Sequence, residues 1–158
     1  MKNWIFLFKN IDDFMVSTEH LNVNMTCNQD CIFCILHRFH NNKRFSERDT
    51  FEGKSLKEIK QKIDKIRNET DKITIIGAEP TLRPDLKEII EYLKEKKFTR
   101  IELCSNCLKF SNKEYTKELV EAGITCVVTS LHSNEPEICD KTTQVEGSFH
   151  KIVSGIKN

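Results

Sequence analysis

Three cysteines crowd into Met25-Thr26-Cys27-Asn28-Gln29-Asp30-Cys31-Ile32-Phe33-Cys34, with the spacing C-x3-C-x2-C. Three thiolate donors in one short loop are too close together to be three unrelated core cysteines. Soft sulfur ligands at one point suit an iron–sulfur cluster or zinc. In a four-iron cubane, three thiolates leave one iron without a protein ligand, and an open metal position is where a substrate or cofactor binds. In the zinc alternative His37 is the fourth ligand, because Cys34-x2-His37 is an allowed spacing for a closed tetrahedral site. Four further cysteines lie downstream. Cys104 and Cys107 invite a redox or second-cluster reading, against which Cys104 is a strand core residue. Cys126 alternates within an apolar strand and reads as structural. Cys139 falls in a polar loop, as a stray thiol or a ligand.

The elements that must position these groups alternate along the chain. A β-prone run ends near His20-Leu21-Asn22-Val23-Asn24-Met25. Leu56, Ile59, Ile63 and Ile66 mark one face of a helix. Lys72–Ile76 reads as a short buried strand. Pro84 sits where a helix's first turn tolerates it, and Leu86, Ile89, Ile90 and Leu93 make the next apolar stripe. Arg100–Cys104 is a third strand, and Tyr115–Ala122 a third helix stopped by Gly123. Ile124–Thr129 is a fourth strand, and Phe149–Ile156 begins a fourth helix. Strands alternating with helices imply right-handed crossovers and a parallel sheet with buried strands. The segment 41–53 is polar and reads as a loop.

The chain has 158 residues, enough for one sizeable core. Its 25 basic and 24 acidic residues balance to a formal charge of +1, which gives no electrostatic footprint for nucleic acid. No apolar run reaches transmembrane length, and Trp4–Phe8 is too short for a signal-peptide core. Seven cysteines, an odd number with three in metal spacing, suit a reducing compartment better than a disulfide framework. The expected setting is the cytoplasm, with no membrane partner.

The motifs around the cysteine loop resemble those of the radical S-adenosylmethionine (SAM) superfamily. That family carries C-x3-C-x-aromatic-C after its first barrel strand, and Phe33 holds the aromatic place. A family motif, usually Gly-Gly-Glu-Pro-Thr, appears as Gly77-Ala78-Glu79-Pro80-Thr81. Its Thr-Asn-Gly motif appears as Ser105-Asn106-Cys107, with Cys107 in the glycine place. Ser130-Leu131-His132 matches a fourth motif, and Asp140-Lys141-Thr142 to Gly147-Ser148-Phe149 follows the family's pattern. The resemblance covers roughly residues 20 to 158 and implies an α/β fold, a partial (βα) barrel. About four of the usual six βα units are present. The chain is expected to divide into an N-terminal strand or cap over 1–19 and a core domain over 20–158, cut off after the fourth unit.

In such barrels ligands bind at the carboxyl ends of the strands. The cysteine loop, Gly77–Pro80, Ser105-Asn106 and Ser130 each follow a predicted strand, so four sequence-distant groups meet at one rim. The resemblance implies a 4Fe-4S cluster on Cys27, Cys31 and Cys34, with SAM's amino and carboxylate groups on the fourth iron. It implies reductive cleavage of SAM to a 5′-deoxyadenosyl radical that abstracts hydrogen from a substrate. An electron donor of the flavodoxin or ferredoxin kind is the expected partner. Glu79 is suited to accept a hydrogen bond from SAM's ammonium, and Gly77 lets the backbone approach closely. Ala78 replaces the usual second glycine and restricts the backbone there. Phe33 lies against the adenine, or is a core aromatic. Asn106 and Ser130 bond the ribose or the methionine carboxylate. Glu79-Pro80 also reads as a turn followed by a helix cap. His37, His40 and His132 read as surface or rim residues. The alternatives are a small zinc-binding module and a cluster protein that does not cleave SAM.

Overall fold

The computed structural model of the chain describes residues 18–36 and 53–158. Most of the expected N-terminal cap, most of the polar segment 41–53, and His37 and His40 lie outside these residues.

Four parallel strands form one sheet in the order β1-β2-β3-β4. They are β1 (Glu19–Asn22), β2 (Lys72–Ile76), β3 (Arg100–Cys104) and β4 (Cys126–Val128). Helices α1 (Leu56–Arg67), α2 (Leu86–Glu95) and α3 (Lys113–Ala122) occupy the three crossovers, and α4 (Pro136–Thr143) and α5 (Ser148–Lys157) follow β4. A sequential strand order with right-handed crossovers puts the crossover helices on one face of the sheet. Leu21, Ile73, Ile75, Ile101 and Leu103 face them and are buried with Ile59, Ile63, Ile89, Ile90, Leu93 and Leu119. The alternate positions Lys72, Arg100, Glu102 and Cys104 are only half-buried. Among the described residues, the second face is thus less fully buried than the parallel pairing suggested, with Thr74 the buried position on it, because these helices cover the other face.

Local signals explain the boundaries. Ser55 and Glu58 make a reciprocal cap at the start of α1: the Glu58 N–H donates to Ser55 Oγ at 3.3 Å and the Ser55 N–H to Glu58 Oε2 at 2.8 Å. Gly123 ends α3 at φ 132°, a conformation that a side chain resists. Pro84 precedes the cap residue of α2, Asp85, rather than entering its first turn.

Three boundaries differ from expectation. The β1 ladder stops at Asn22 because Asn24 and Thr26 turn their carbonyls to the loop after β2: the N–H groups of Ala78 and Glu79 donate to them at 3.2 and 2.8 Å. The fourth strand is shorter than Ile124–Thr129, spanning only Cys126–Val128. Helix α4 lies where a polar loop was expected. It buries only Cys139 and Thr143, four residues apart, too thin a stripe to register as periodic. Cys139 is therefore a fully buried helix residue packed into the core, not a loop thiol.

Candidate functional site

The cysteine loop follows β1 and is pinned by a neighbour distant in sequence. The N–H groups of Asp30 and Ile32 donate to the carbonyls of Thr143 and Thr142 at 3.1 and 3.0 Å. Those carbonyls end α4, where a helix leaves acceptors without partners of its own. A turn closes the loop: the Cys34 N–H donates to the Cys31 carbonyl at 2.9 Å. Phe33 is 59% exposed, which removes the core-aromatic alternative. Its ring meets the edge of His132 at a centroid distance of 4.7 Å, tying the loop to the segment after β4.

Glu79 joins the other loops. It is fully buried. Its Oε1 accepts from the Thr81 N–H at 3.0 Å, from Ser105 Oγ at 2.9 Å and from the Thr81 hydroxyl. Its Oε2 accepts from the Asn106 N–H at 2.7 Å. The Glu79 N–H donates to Thr26, next to Cys27, and the Glu79 carbonyl accepts from Asn24 Nδ2 at 2.8 Å. One residue therefore holds the loops after β1, β2 and β3 together. Pro80 starts the short 3₁₀ turn Pro80–Leu82, which Glu79 caps, so the turn-and-cap reading of this dipeptide describes the local structure. A Cβ at Gly77 would lie 2.2 Å from Asn24 Oδ1, so only glycine allows these loops to close. Arg83, also buried, donates to the carbonyls of Val23 and Lys54 at 2.7 and 2.8 Å and pairs with Asp85.

In front of this frame lies an open cleft of about 330 Å³, lined by Cys27, Cys31, Cys34, Phe33, Ala78 and Asn106 among others. Of the residues singled out in the sequence, these six share the cleft wall. Gly77, Glu79, Pro80 and Ser105 form the support behind it, and Ser130 is exposed outside it. Burial pushes the Cys27 thiol up to about 12; the Gln29 N–H opposes this and the charge of Glu79 adds to it. Burial, then the neighbouring Cys34, pushes Cys31 up to about 11. The bare Cys27 and Cys31 sulfurs are thus held as thiols, and a bound cation would draw off their protons.

The donor set fits an iron–sulfur cluster. Among the described residues, no three His, Cys, Asp or Glu side chains converge on one point as a single ion requires. A cubane asks for something different, since each thiolate takes a separate iron around a common cleft. The environment fits as well. Gln29 lines the cleft, is 5% exposed, and its Nε2 is buried with no hydrogen-bond partner. Leaving such a donor unpaired costs about 1–3 kcal/mol, and a sulfur-rich group supplies acceptors. Sequence reasoning missed Gln29, Asn28, Arg83 and the α4 carbonyls. A glutamine between two ligand cysteines was the one signal available for the first.

The profile of the radical SAM superfamily matches residues 21–158. A 7,8-dihydro-6-hydroxymethylpterin dimethyltransferase of Methanocaldococcus jannaschii is 30% identical over 143 residues, covering 87% of this chain and 27% of that protein. A probable GTP 3',8-cyclase of the same organism is 30% identical over 151 residues, covering 92% of this chain and 47% of that one. A probable GTP 3',8-cyclase of Methanococcus maripaludis is 31% identical over 144 residues, covering 90% and 45%. The chain thus spans less than half the length of these curated relatives. Among the described residues, no helix is long and apolar enough to cross a membrane.

Proposed function

The chain belongs to the radical SAM superfamily, and from that premise we propose that it binds a 4Fe-4S cluster through Cys27, Cys31 and Cys34 and cleaves SAM reductively. Members of the superfamily use such a cluster together with SAM. The observation that carries the proposal is the single cleft that these three cysteines share with Phe33, Ala78 and Asn106. When bound, the reduced cluster supplies the electron that breaks a carbon–sulfur bond of SAM, releasing methionine and a 5′-deoxyadenosyl radical that takes hydrogen from a substrate.

The chain's own residues position and enclose. Cys27, Cys31 and Cys34 would hold the cluster as thiolates, and three thiolates on four irons would leave one iron open to SAM's amino and carboxylate groups. Ala78, Asn106 and Phe33 would wall the cleft that holds SAM, with Phe33 placed to lie against its adenine. Glu79 acts from behind, holding Asn106 and the Ala78 backbone in place. Ser130 is exposed outside that cleft. A small acidic electron carrier of the ferredoxin or flavodoxin kind supplies the reductant. The activities named for the relatives, on GTP and on a hydroxymethylpterin, differ from each other, so cleavage of SAM is the part assigned here.

Anaerobically reconstituted chain, reduced with dithionite in the presence of SAM, is expected to form 5′-deoxyadenosine. A loaded cluster without that product would make the chain a cluster-binding protein only. One tightly bound zinc per chain, with no cluster assembled, would overturn the proposal altogether.

A further inference from the structure

The cysteine sulfurs of this site have two amide side chains beside them, Asn106 and Gln29. Asn106 has a fixed orientation: its Oδ1 accepts from the Leu108 N–H at 3.1 Å. Its Nδ2 therefore faces the cysteine loop, donating to Asn28 Oδ1 at 2.8 Å and lying 3.9 Å from Cys27 Sγ. The backbone beneath it is set by Glu79, which accepts the Asn106 N–H at 2.7 Å. Gln29 is the second amide. Its backbone N–H lies 3.4 Å from Cys27 Sγ, and its Oε1 accepts from Cys31 Sγ at 3.5 Å. Its Nε2, in a side chain 5% exposed, has no partner.

A metal ligand is a thiolate and has no proton to donate. With Cys31 ligated, Gln29 Oε1 would face a sulfur lone pair while its own N–H groups stay unused. A half-turn of the amide exchanges the two atoms at almost no change in shape. It converts that contact into an N–H donor to sulfur. An electron added to a cluster is negative charge spread over its sulfurs, and N–H groups aimed at those sulfurs stabilise it.

We propose that the side-chain amides of Gln29 and Asn106 are N–H···S donors to the cluster's sulfur shell and set its reduction potential. Both are positioning residues that act through the thiolates. The inference rests on the cluster assignment proposed above and adds to it residues that control how readily the site accepts its electron.

The test is an EPR-monitored redox titration of the reconstituted full chain, with Gln29→Met, Asn106→Ser and the double variant. Iron and sulfide per chain are expected to equal those of the unsubstituted protein. Each single variant is expected to titrate at a more negative potential. The double variant is expected to be reduced at least tenfold less favourably, which is about 59 mV for one electron. Electron–nuclear double resonance of the reduced unsubstituted protein, compared between H₂O and D₂O, is expected to show exchangeable protons coupled to the cluster. Each variant is expected to lose part of that coupling. Unshifted potentials with unchanged couplings would overturn the inference while leaving the cluster assignment standing. So would an absence of exchangeable couplings in the unsubstituted protein, a result that needs no variant to fold. Failure of the unsubstituted protein to take up iron and sulfide would overturn the cluster assignment itself, and the inference with it.

Discussion

Glu79 sits where no solvent reaches it, yet it is satisfied on every side. Its four donors come from two loops, Thr81 after β2 and Ser105 and Asn106 after β3. Removing such an acceptor strands all of them. Hydrogen bonds to a charged group are worth about 1.5–3 kcal/mol, and neighbours in one network do not add simply. Glu79→Ala is therefore expected to lower unfolding stability by about 3 kcal/mol. It is also expected to weaken SAM binding by about one to two decades, because Asn106 and the cleft wall shift together. Urea denaturation and calorimetry check the two effects. Unchanged stability would show that the carboxylate is not the joint between these loops. The motif was legible in the sequence, and the role expected for it was direct contact with SAM. The buried network was not legible, because its donors become neighbours only when β2 and β3 pair. Gln29 was hidden for a related reason: a polar residue in a polar loop says nothing of its burial.

Helices α4 and α5 show how one side chain can join two elements. No residue adjacent to α5 offers a cap; Gly147 before it has no side chain and sits at φ 72°. Asp140, inside α4, supplies the acceptors instead. It receives the Gly147 N–H at 2.6 Å, the Ser148 hydroxyl at 2.8 Å and the Phe149 N–H at 2.9 Å. These bonds, that from Phe149 foremost, hold its carboxyl below the ordinary value of 3.8. A depressed folded value means that the contribution is complete above the unfolded value and is lost as pH falls through the folded one. The stability of the unsubstituted chain is thus expected to fall below about pH 3.8 partly through this residue. Asp140→Asn is expected to unfold more easily at neutral pH and to show a shallower acid limb in pH-dependent thermal melts. Parallel acid limbs would contradict the assignment. The cap also bears on the site, because α4 ends on the carbonyls that hold Asp30 and Ile32. Neither α4 nor this cap was readable in advance. A helix that buries two residues leaves almost no hydrophobic period, and a cap reaching seven to nine residues forward has no local signature. By contrast α1, with Ile59, Ile63 and Ile66 on one face and a reciprocal cap in Ser55 and Glu58, carried every signal that a helix can.

At the scale of the molecule, sequential parallel strands deliver four loops to one end of a sheet, and three of them are stitched together around Glu79. Lys72–Ile76 and Arg100–Cys104 appear where the sequence placed them, since short runs with buried apolar residues between helices leave little choice of element. The convergence of Cys27, Ala78 and Asn106 was legible through the alternation of elements and the rule that such sites lie at strand ends. The distances among them were not, because they depend on the absence of a side chain at Gly77 and on a ring contact between Phe33 and His132. The central claim is that this rim holds a four-iron cluster on three cysteines. It is tested most directly by iron and acid-labile sulfide analysis of anaerobically reconstituted protein, alongside a variant with Cys27, Cys31 and Cys34 all replaced by alanine and another with Cys104 and Cys107 replaced. The account predicts about four irons and four sulfides per chain, broad brown absorption, complete loss of both in the triple variant and retention in the double one. Retention of the cluster in the triple variant, or its loss only when Cys104 and Cys107 are replaced, would contradict it.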